Sequence, residues 1–268
     1  MRYEPIKDKM SLIIGDSAVM RRLLYTILGI IFLREWHVKR GLRRIFRDKK
    51  TKDVLDAGSG FGQYSYYVAK KMRGNVVGVD INRAEVEKCS KFAENLGLKD
   101  LAFSYADLEK LSVDKKFDLI MSVDVMEHIR DDMAVFRNFY SSLRNGGKVL
   151  ISTPSNFGGS DVHDEGEHSF IEEHFREGYS AEEITSKLNL VNLQVENIQY
   201  TYGKIAGWYW NLAVKVPVKL LNRSFALIAL LPFYYLIAFP LSLIFMSCDY
   251  FFPPKRGSGL LVIARKSE

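Results

Sequence analysis

Cysteine is nearly missing from this chain, with only Cys89 and Cys248 among 268 residues. Two thiols cannot make a disulfide framework, and these two lack metal-ligand spacing, which suits a reducing compartment. Proline is sparse (seven), no tract has a biased composition, and no internal repeat of solenoid period is present. A disordered, fibrous or solenoid chain is therefore excluded. Two stretches, Leu23 to Leu33 and Phe225 to Cys248, contain no charged side chain at all. What is present is 47% hydrophobic and 26% charged residues, enough for one ordinary globular domain with an addition.

The net charge of +6 is uninformative as a total and informative by segment. Residues 1–50 carry 13 Lys/Arg against 5 Asp/Glu, and residues 200–268 carry 8 against 2. Residues 51–199 are the reverse, with 17 basic and 25 acidic side chains. Both basic ends contain one of the uncharged apolar runs. That combination points to an anionic membrane surface before nucleic acid, which basic but polar patches would favour.

From residue 53 the chain alternates short apolar runs with helical stretches. DVLDAGSGFG reads as a strand running into a glycine-rich turn, NVVGVD as a second strand and residues 83–96 as a helix. LAFSYAD and FDLIMSVDV are a third and fourth strand, residues 131–144 a helix, and GGKVLIST a fifth strand. This order predicts an α/β fold with a parallel sheet covered on both faces and a ligand beyond the carboxyl ends of its strands. Polar or glycine residues stand at those ends: Asp56 with Gly58, Gly60 and Gly62, then Asp80, Asp107 and Asp124. Glycines allow close backbone approach to a ligand, and an acid about 20 residues beyond such a turn suits a ribose diol. A dinucleotide fold would share these two signals. Asp53 and Asp118 precede strands and read as solvated strand starts.

The motifs VLDAGSGFG, VVGVDIN, YADLEKL, FDLIMSVDVMEHI and LRNGGKVLISTPSN together cover residues 53–156. In order and separation they resemble a class I S-adenosylmethionine-dependent methyltransferase, closest to the ubiquinone-biosynthesis O-methyltransferase-like group. One departure is Ser59, where many relatives have Cys. The resemblance implies a Rossmann-like sheet of seven strands and S-adenosyl-L-methionine as cofactor. It places Gly58, Gly60 and Gly62 beside the methionyl part, with Asp56 supporting the loop. Asp80 would meet both ribose hydroxyls, Ile81 the adenine face and Asp107 the adenine amino group. Ser122 to Asp124 would lie beside the methionine chain of the cofactor and the substrate mouth.

An oxygen nucleophile must lose a proton, and His has an unperturbed pKa near operating pH. Glu127 and His128, and His163, His168 and His174 in the following loop, are candidate bases, with His128 and His168 favoured. The loop could hold a divalent metal, but its spacing specifies no site, and none is assigned. The plainer expectation is a substrate lid leading into a helix at Ala181, capped by Ser180 with Glu183 completing a capping box.

After that helix, LVNLQVENIQYTY and GLLVIARK read as strands six and seven, an antiparallel pair in the resembled family. The expected division is an N-terminal basic and apolar helical segment (1–50), a methyltransferase domain (51–203 and 257–268) and an apolar insertion (204–256). As a helix, residues 225–248 would measure about 36 Å, enough for a hydrocarbon core of about 30 Å. Both ends of the insertion join one sheet, however, so a single crossing is excluded, and Lys215 and Lys219 oppose a second span. The remaining expectations are an interfacial helix at 205–221, kinked by Pro217, and a re-entrant hairpin bent at Pro232 and Pro240. Leu23 to Leu33 is too short to span and fits an in-plane helix; packing of both runs as a lid or dimer interface is the alternative. These features together suggest methylation, through the resemblance O-methylation, of a lipid-linked or membrane-associated acceptor on the cytoplasmic face. A small soluble acceptor, or a non-catalytic scaffold that binds the cofactor, are the competing functions. Neither the acceptor nor the oligomeric state is specified.

Overall fold

The computed structural model describes residues 17–112, 115–158 and 175–267. Seven strands form one sheet in the order β3-β2-β1-β4-β5-β7-β6. They are β1 Asp53–Ala57, β2 Asn75–Asp80, β3 Leu101–Tyr105, β4 Phe117–Val123, β5 Leu143–Pro154, β6 Leu193–Thr201 and β7 Gly259–Lys266. The first five run parallel, while β7 lies antiparallel between β5 and β6. The chain reverses direction between β1 and β4, so β1 and β4 flank the crevice where such sheets bind ligands.

Two N-terminal helices, α1 Ala18–Ile31 and α2 Leu33–Ile45, precede the sheet and break at Phe32. Ser17 caps α1 by accepting from the Met20 amide, as the short polar side chain at such a start requires. Between strands lie α3 Gln63–Tyr67, extended by a wide turn at Val68–Met72, then α4 Arg83–Asn95, α5 Asp132–Ser142 and α6 Ala181–Leu190. One face of the sheet packs Phe136 and Phe139 of α5 with Ile184 and Leu188 of α6. The other packs Val38 and Leu42 of α2 with Tyr64, Val68 and Ala93. The basic N-terminal segment thus contributes its second helix to the main core. Gly41 lets α2 sit close, since a Cβ there would lie 2.8 Å from Leu150 Cδ1.

Asp53 begins β1 as expected of a strand start, but within an ion-pair cluster. Arg144 and Lys115 reach it at 2.7 and 3.0 Å, and Arg144 also holds Asp118. Partial burial pushes its carboxyl up, but hydrogen bonds from Arg144, Lys115 and Asn75 hold it at about 2. Ser180 accepts from the Glu183 amide as the expected cap. The box is half made, because Glu183 pairs with Lys187 at 3.0 Å.

The insertion between β6 and β7 is a helical hairpin. Its first arm is α7 Lys204–Trp210, a wide turn at Asn211–Lys215 and α8 Val216–Arg223; its second is α9 Leu231–Phe251. The two prolines do not break the second arm: Pro232 stands in the first turn of α9, where no amide is needed, and Pro240 lies inside that helix without ending it. The chain reverses instead through Ser224 and a tight turn at Phe225–Leu230. Pro217 does perturb the first arm. It offers no amide to the carbonyls of Leu212 and Ala213, and the hydroxyls of Tyr234 and Tyr235 on α9 donate to them at 2.6 and 2.8 Å. The kink is thereby turned into inter-arm hydrogen bonds. At the root, the buried Asp249 carboxylate accepts from the Gly203 amide at 2.7 Å and lies 3.2 Å from His37 Nε2 of α2. Leu33, Ala206, Tyr209 and Met246 form a third apolar cluster that joins hairpin and α2.

Candidate functional site

The carboxyl ends of β1, β2 and β4 converge with the start of α3. After β1 the amides of Gly58 and Ser59 both donate to the Val79 carbonyl at the end of β2, and the Gly60 amide donates to Asp80 at 2.7 Å. Gly58, Gly60 and Gly62 all have positive φ. At Gly58 a Cβ would meet Val125 Cγ2 at 2.3 Å, so packing as well as conformation demands glycine. At Gly60 a Cβ would meet nothing within 4 Å: this turn faces open space. Gly62 opens α3.

Asp56 is buried beneath the loop and accepts from Ser65 Oγ at 2.6 Å. Burial raises its carboxyl, the Ser65 hydrogen bond opposes this and nearby Asp80 adds to it, leaving the group pushed up to about 7. Asp80 also accepts from the Asn82 amide at 2.8 Å, so its two oxygens tie the loop to the start of α4 while each keeps further acceptor capacity. Ile81 beside it is 64% exposed, an apolar surface with no protein cover. Asp107 caps the turn Leu108–Lys110 by accepting from the Glu109 amide at 3.0 Å. The side chain of Ser122 is fully buried, and its hydroxyl, like that of Ser59, has no hydrogen-bond partner among the described residues.

Asp124 follows β4 with φ of 53° and is ion-paired with Arg34 of α2. A left-handed aspartate held by a fixed neighbour is characteristic of functional sites. Next to it Glu127 is buried, accepts from Thr153 Oγ1 at 3.1 Å, and has its carboxyl raised by burial. His128 is exposed and adjoins it. The structure thus brings together Asp56, the three glycines, Asp80, Ile81, Ser122, Asp124 and the Glu127–His128 pair, with Asp107 at the margin. His163, His168 and His174 lie outside the described residues. No group of three His, Cys, Asp or Glu able to hold a metal occurs among the described residues.

Several contributors carry no motif. Arg34 is one. Arg21 and Tyr25 of α1 both donate to the Phe61 carbonyl of the glycine loop, and Arg21 also reaches Cys89 Sγ at 3.2 Å. Asp132 gathers Arg176, Lys187 and the Tyr179 hydroxyl, fixing the segment that returns past the site. The Phe175 amide then donates to the Glu127 carbonyl. An i, i+4 pattern of Arg21 and Tyr25 opposite apolar residues was the available signal for α1.

Residues 48–210 match the protein family described as "Methyltransferase domain". The chain belongs to the S-adenosylmethionine-dependent methyltransferases. Phosphoethanolamine N-methyltransferase 3 of Arabidopsis thaliana is 40% identical over 106 residues, which are 39% of this chain and 21% of that protein. A ubiquinone biosynthesis O-methyltransferase of Coxiella burnetii is 33% identical over 106 residues, 39% of this chain and 44% of that protein. This methyltransferase therefore spans about a fifth of the plant relatives it matches first. Among solved structures, phosphoethanolamine N-methyltransferase 2 of Haemonchus contortus with S-adenosyl-L-methionine superposes with a TM-score of 0.63 and 17% identity, covering 94% of this chain and 58% of that one. That likeness establishes the fold. The cofactor is S-adenosylmethionine, and the open glycine turn, the partnerless Ser122 hydroxyl and the acids at the strand ends fit a ligand that carries an amino group and a diol.

Proposed function

We propose that this methyltransferase methylates a hydroxyl on a membrane-borne acceptor, a quinone, glycolipid or lipid head group, on the cytoplasmic face. The observation that carries this reading is the hairpin. Its second arm is 21 residues long, is long and apolar enough to cross a membrane, and has only 17% of its most apolar window buried. Phe233, Leu236 and Ile237 are each about 70% exposed, well beyond the scattered apolar residues of an ordinary surface. Because Lys215, Lys219 and Arg223 lie along the first arm, the hairpin rests in the interface with its apolar side down. It is also tied to the site: the Tyr202 hydroxyl at its root accepts from the Arg34 amide at 2.9 Å, and the Arg34 side chain pairs with Asp124.

When bound, S-adenosylmethionine supplies an electrophilic methyl group on a sulfonium that departs as a neutral thioether. Asp56 would face its amino group, Asp80 and Ile81 would hold ribose and adenine, and Asp107 would read the adenine edge. Ser122, buried at the end of β4, would back the methionyl side of the pocket. Arg34 fixes Asp124 through their ion pair. Glu127, its proton affinity raised by burial, takes the hydroxyl proton either directly or through His128. The protein otherwise acts by holding nucleophile and methyl in line and by excluding water.

Incubating the protein with S-adenosylmethionine and a total lipid extract tests this reading. A species heavier by one methylene in the organic phase is the expected result. A methylated product found only in the aqueous phase, or none with any extract, would overturn it.

A further inference from the structure

The helix that closes the cofactor loop has a second, uncovered side. On α1 the side chains of Arg21 and Tyr25 point inward to the Phe61 carbonyl. Val19, Leu23, Ile27 and Ile30 recur at helical spacing on the opposite face and are 43–73% exposed. Arg22 and Thr26 are exposed beside the stripe, so this short helix leaves four large apolar side chains in water while two of its polar ones, Arg21 and Tyr25, are buried.

This stripe is continuous with the hairpin. The Tyr209 hydroxyl of α7 donates to the Ile31 carbonyl at the end of α1 at 2.5 Å. Leu33, one residue past the helix break, is packed among Ala206, Tyr209 and Met246. The surroundings are strongly basic: from Ser17 to Arg47 the sole acidic residue is Glu35, which is buried and paired with Lys39 at 2.8 Å. An apolar face with a cationic surround and no exposed acid matches a bilayer with anionic head groups.

We propose that α1 is an interfacial lid, with its outer stripe entering the same anionic lipid surface as the hairpin while its inner side clamps the glycine loop. This rests on the membrane reading above and adds regulation to it. Lipid contact favours α1 in its docked position, and docked α1 holds the loop that binds the cofactor. By linkage, lipid then raises cofactor affinity, and cofactor raises lipid affinity by the same factor.

The test uses S-adenosylhomocysteine as probe, titrated calorimetrically with the full chain, alone and with vesicles of equimolar phosphatidylcholine and phosphatidylglycerol. Affinity is expected to rise about fivefold or more on the vesicles. Leu23→Glu/Ile27→Glu should bind the probe normally in solution and still sediment with vesicles through its hairpin, but lose the rise. Leu23→Ser/Ile27→Ser, gentler to folding, should behave alike. Equal affinity with and without vesicles for a chain that sediments with them would overturn the lid, as would a full rise in both variants. A dimer in light scattering that either variant dissociates would assign the stripe to a second copy and overturn it as well. Failure of the wild-type chain to sediment at all would instead reject the membrane reading itself.

Discussion

The carboxyl edge of the sheet and the hairpin between β6 and β7 handle polarity in opposite ways. At the edge, polar atoms are concentrated and some keep unused capacity: the Ser122 hydroxyl has no partner among the described residues, and Asp56 is buried with a raised pKa. In the second arm of the hairpin, polarity is concealed. Tyr234 and Tyr235 cover the carbonyls uncovered by Pro217, Ser242 and Ser247 donate back to carbonyls one turn earlier, and the insertion's one acid, Asp249, is sealed at the root. Apolar side chains are left outside. The first region offers polar capacity to a ligand; on the function proposed above, the second is the part that enters a medium without hydrogen-bonding capacity.

Removing the proton acceptor would break the edge half of this contrast most severely. Glu127→Gln should lower kcat by about a hundredfold or more with little change in cofactor binding, since general bases contribute on the order of 10²–10⁴. Steady-state kinetics and S-adenosylhomocysteine titration check it; unchanged kcat would remove Glu127 from the chemistry. The hairpin half breaks with Phe233→Asp/Leu236→Asp/Ile237→Asp, which should cut vesicle partitioning by about a thousandfold or more, as three buried side chains contribute about 1.5–3 kcal/mol each. Sedimentation with anionic vesicles reads this out, and undiminished partitioning would show that the exposed face is not what enters lipid.

Asp80→Ala should weaken cofactor binding about tenfold to a hundredfold, because hydrogen bonds to a charged group are each worth about 1.5–3 kcal/mol. Calorimetry showing wild-type affinity would place the ribose elsewhere. Asp56 supplies a pH signature. Its carboxyl in the free protein titrates at about 7, above the ordinary value, so the stability it lends as a neutral group is lost as pH rises through that value. A cationic cofactor amino group prefers the ionised form, so affinity should climb by up to about tenfold per pH unit below 7 and level off above it. Asp56→Asn should flatten that climb; a wild-type affinity independent of pH from 5 to about 8 would contradict the placement. The smallest effect sharpens the hairpin: Tyr235→Phe, which uncovers the Ala213 carbonyl, should cost about 1 kcal/mol in thermal unfolding. No change would mean that water or lipid already reaches this carbonyl.

How much of this was legible in the sequence follows the same division. Strand ends announce themselves, because a glycine or an acid after an apolar run has few other uses, and so Asp56, Gly58, Gly60, Gly62, Asp80 and Asp124 converge as read. Arg34, Arg21 and Tyr25 were hidden because they lie in a segment whose composition reads as membrane surface, and only the fold turns one side of α1 and α2 toward the site. Asp132 reads as an ordinary helix start, whereas Tyr179, Arg176 and Lys187 converge on it from 44 residues away and more. In the hairpin, composition revealed the apolar length, while the reversal falls at Phe225–Leu230, ahead of both prolines. Proline marks positions without an amide, and a helix tolerates that in its first turn or where a neighbour supplies the missing donor.

The most direct measurement compares methyl transfer by the wild-type chain and by Phe233→Asp/Leu236→Asp/Ile237→Asp on one acceptor, offered in vesicles and in detergent micelles. With equal S-adenosylhomocysteine affinity confirmed for both, the variant should be at least about tenfold slower on vesicles and equal to wild type in micelles. Equal rates on vesicles would contradict a site served by a membrane-docked hairpin.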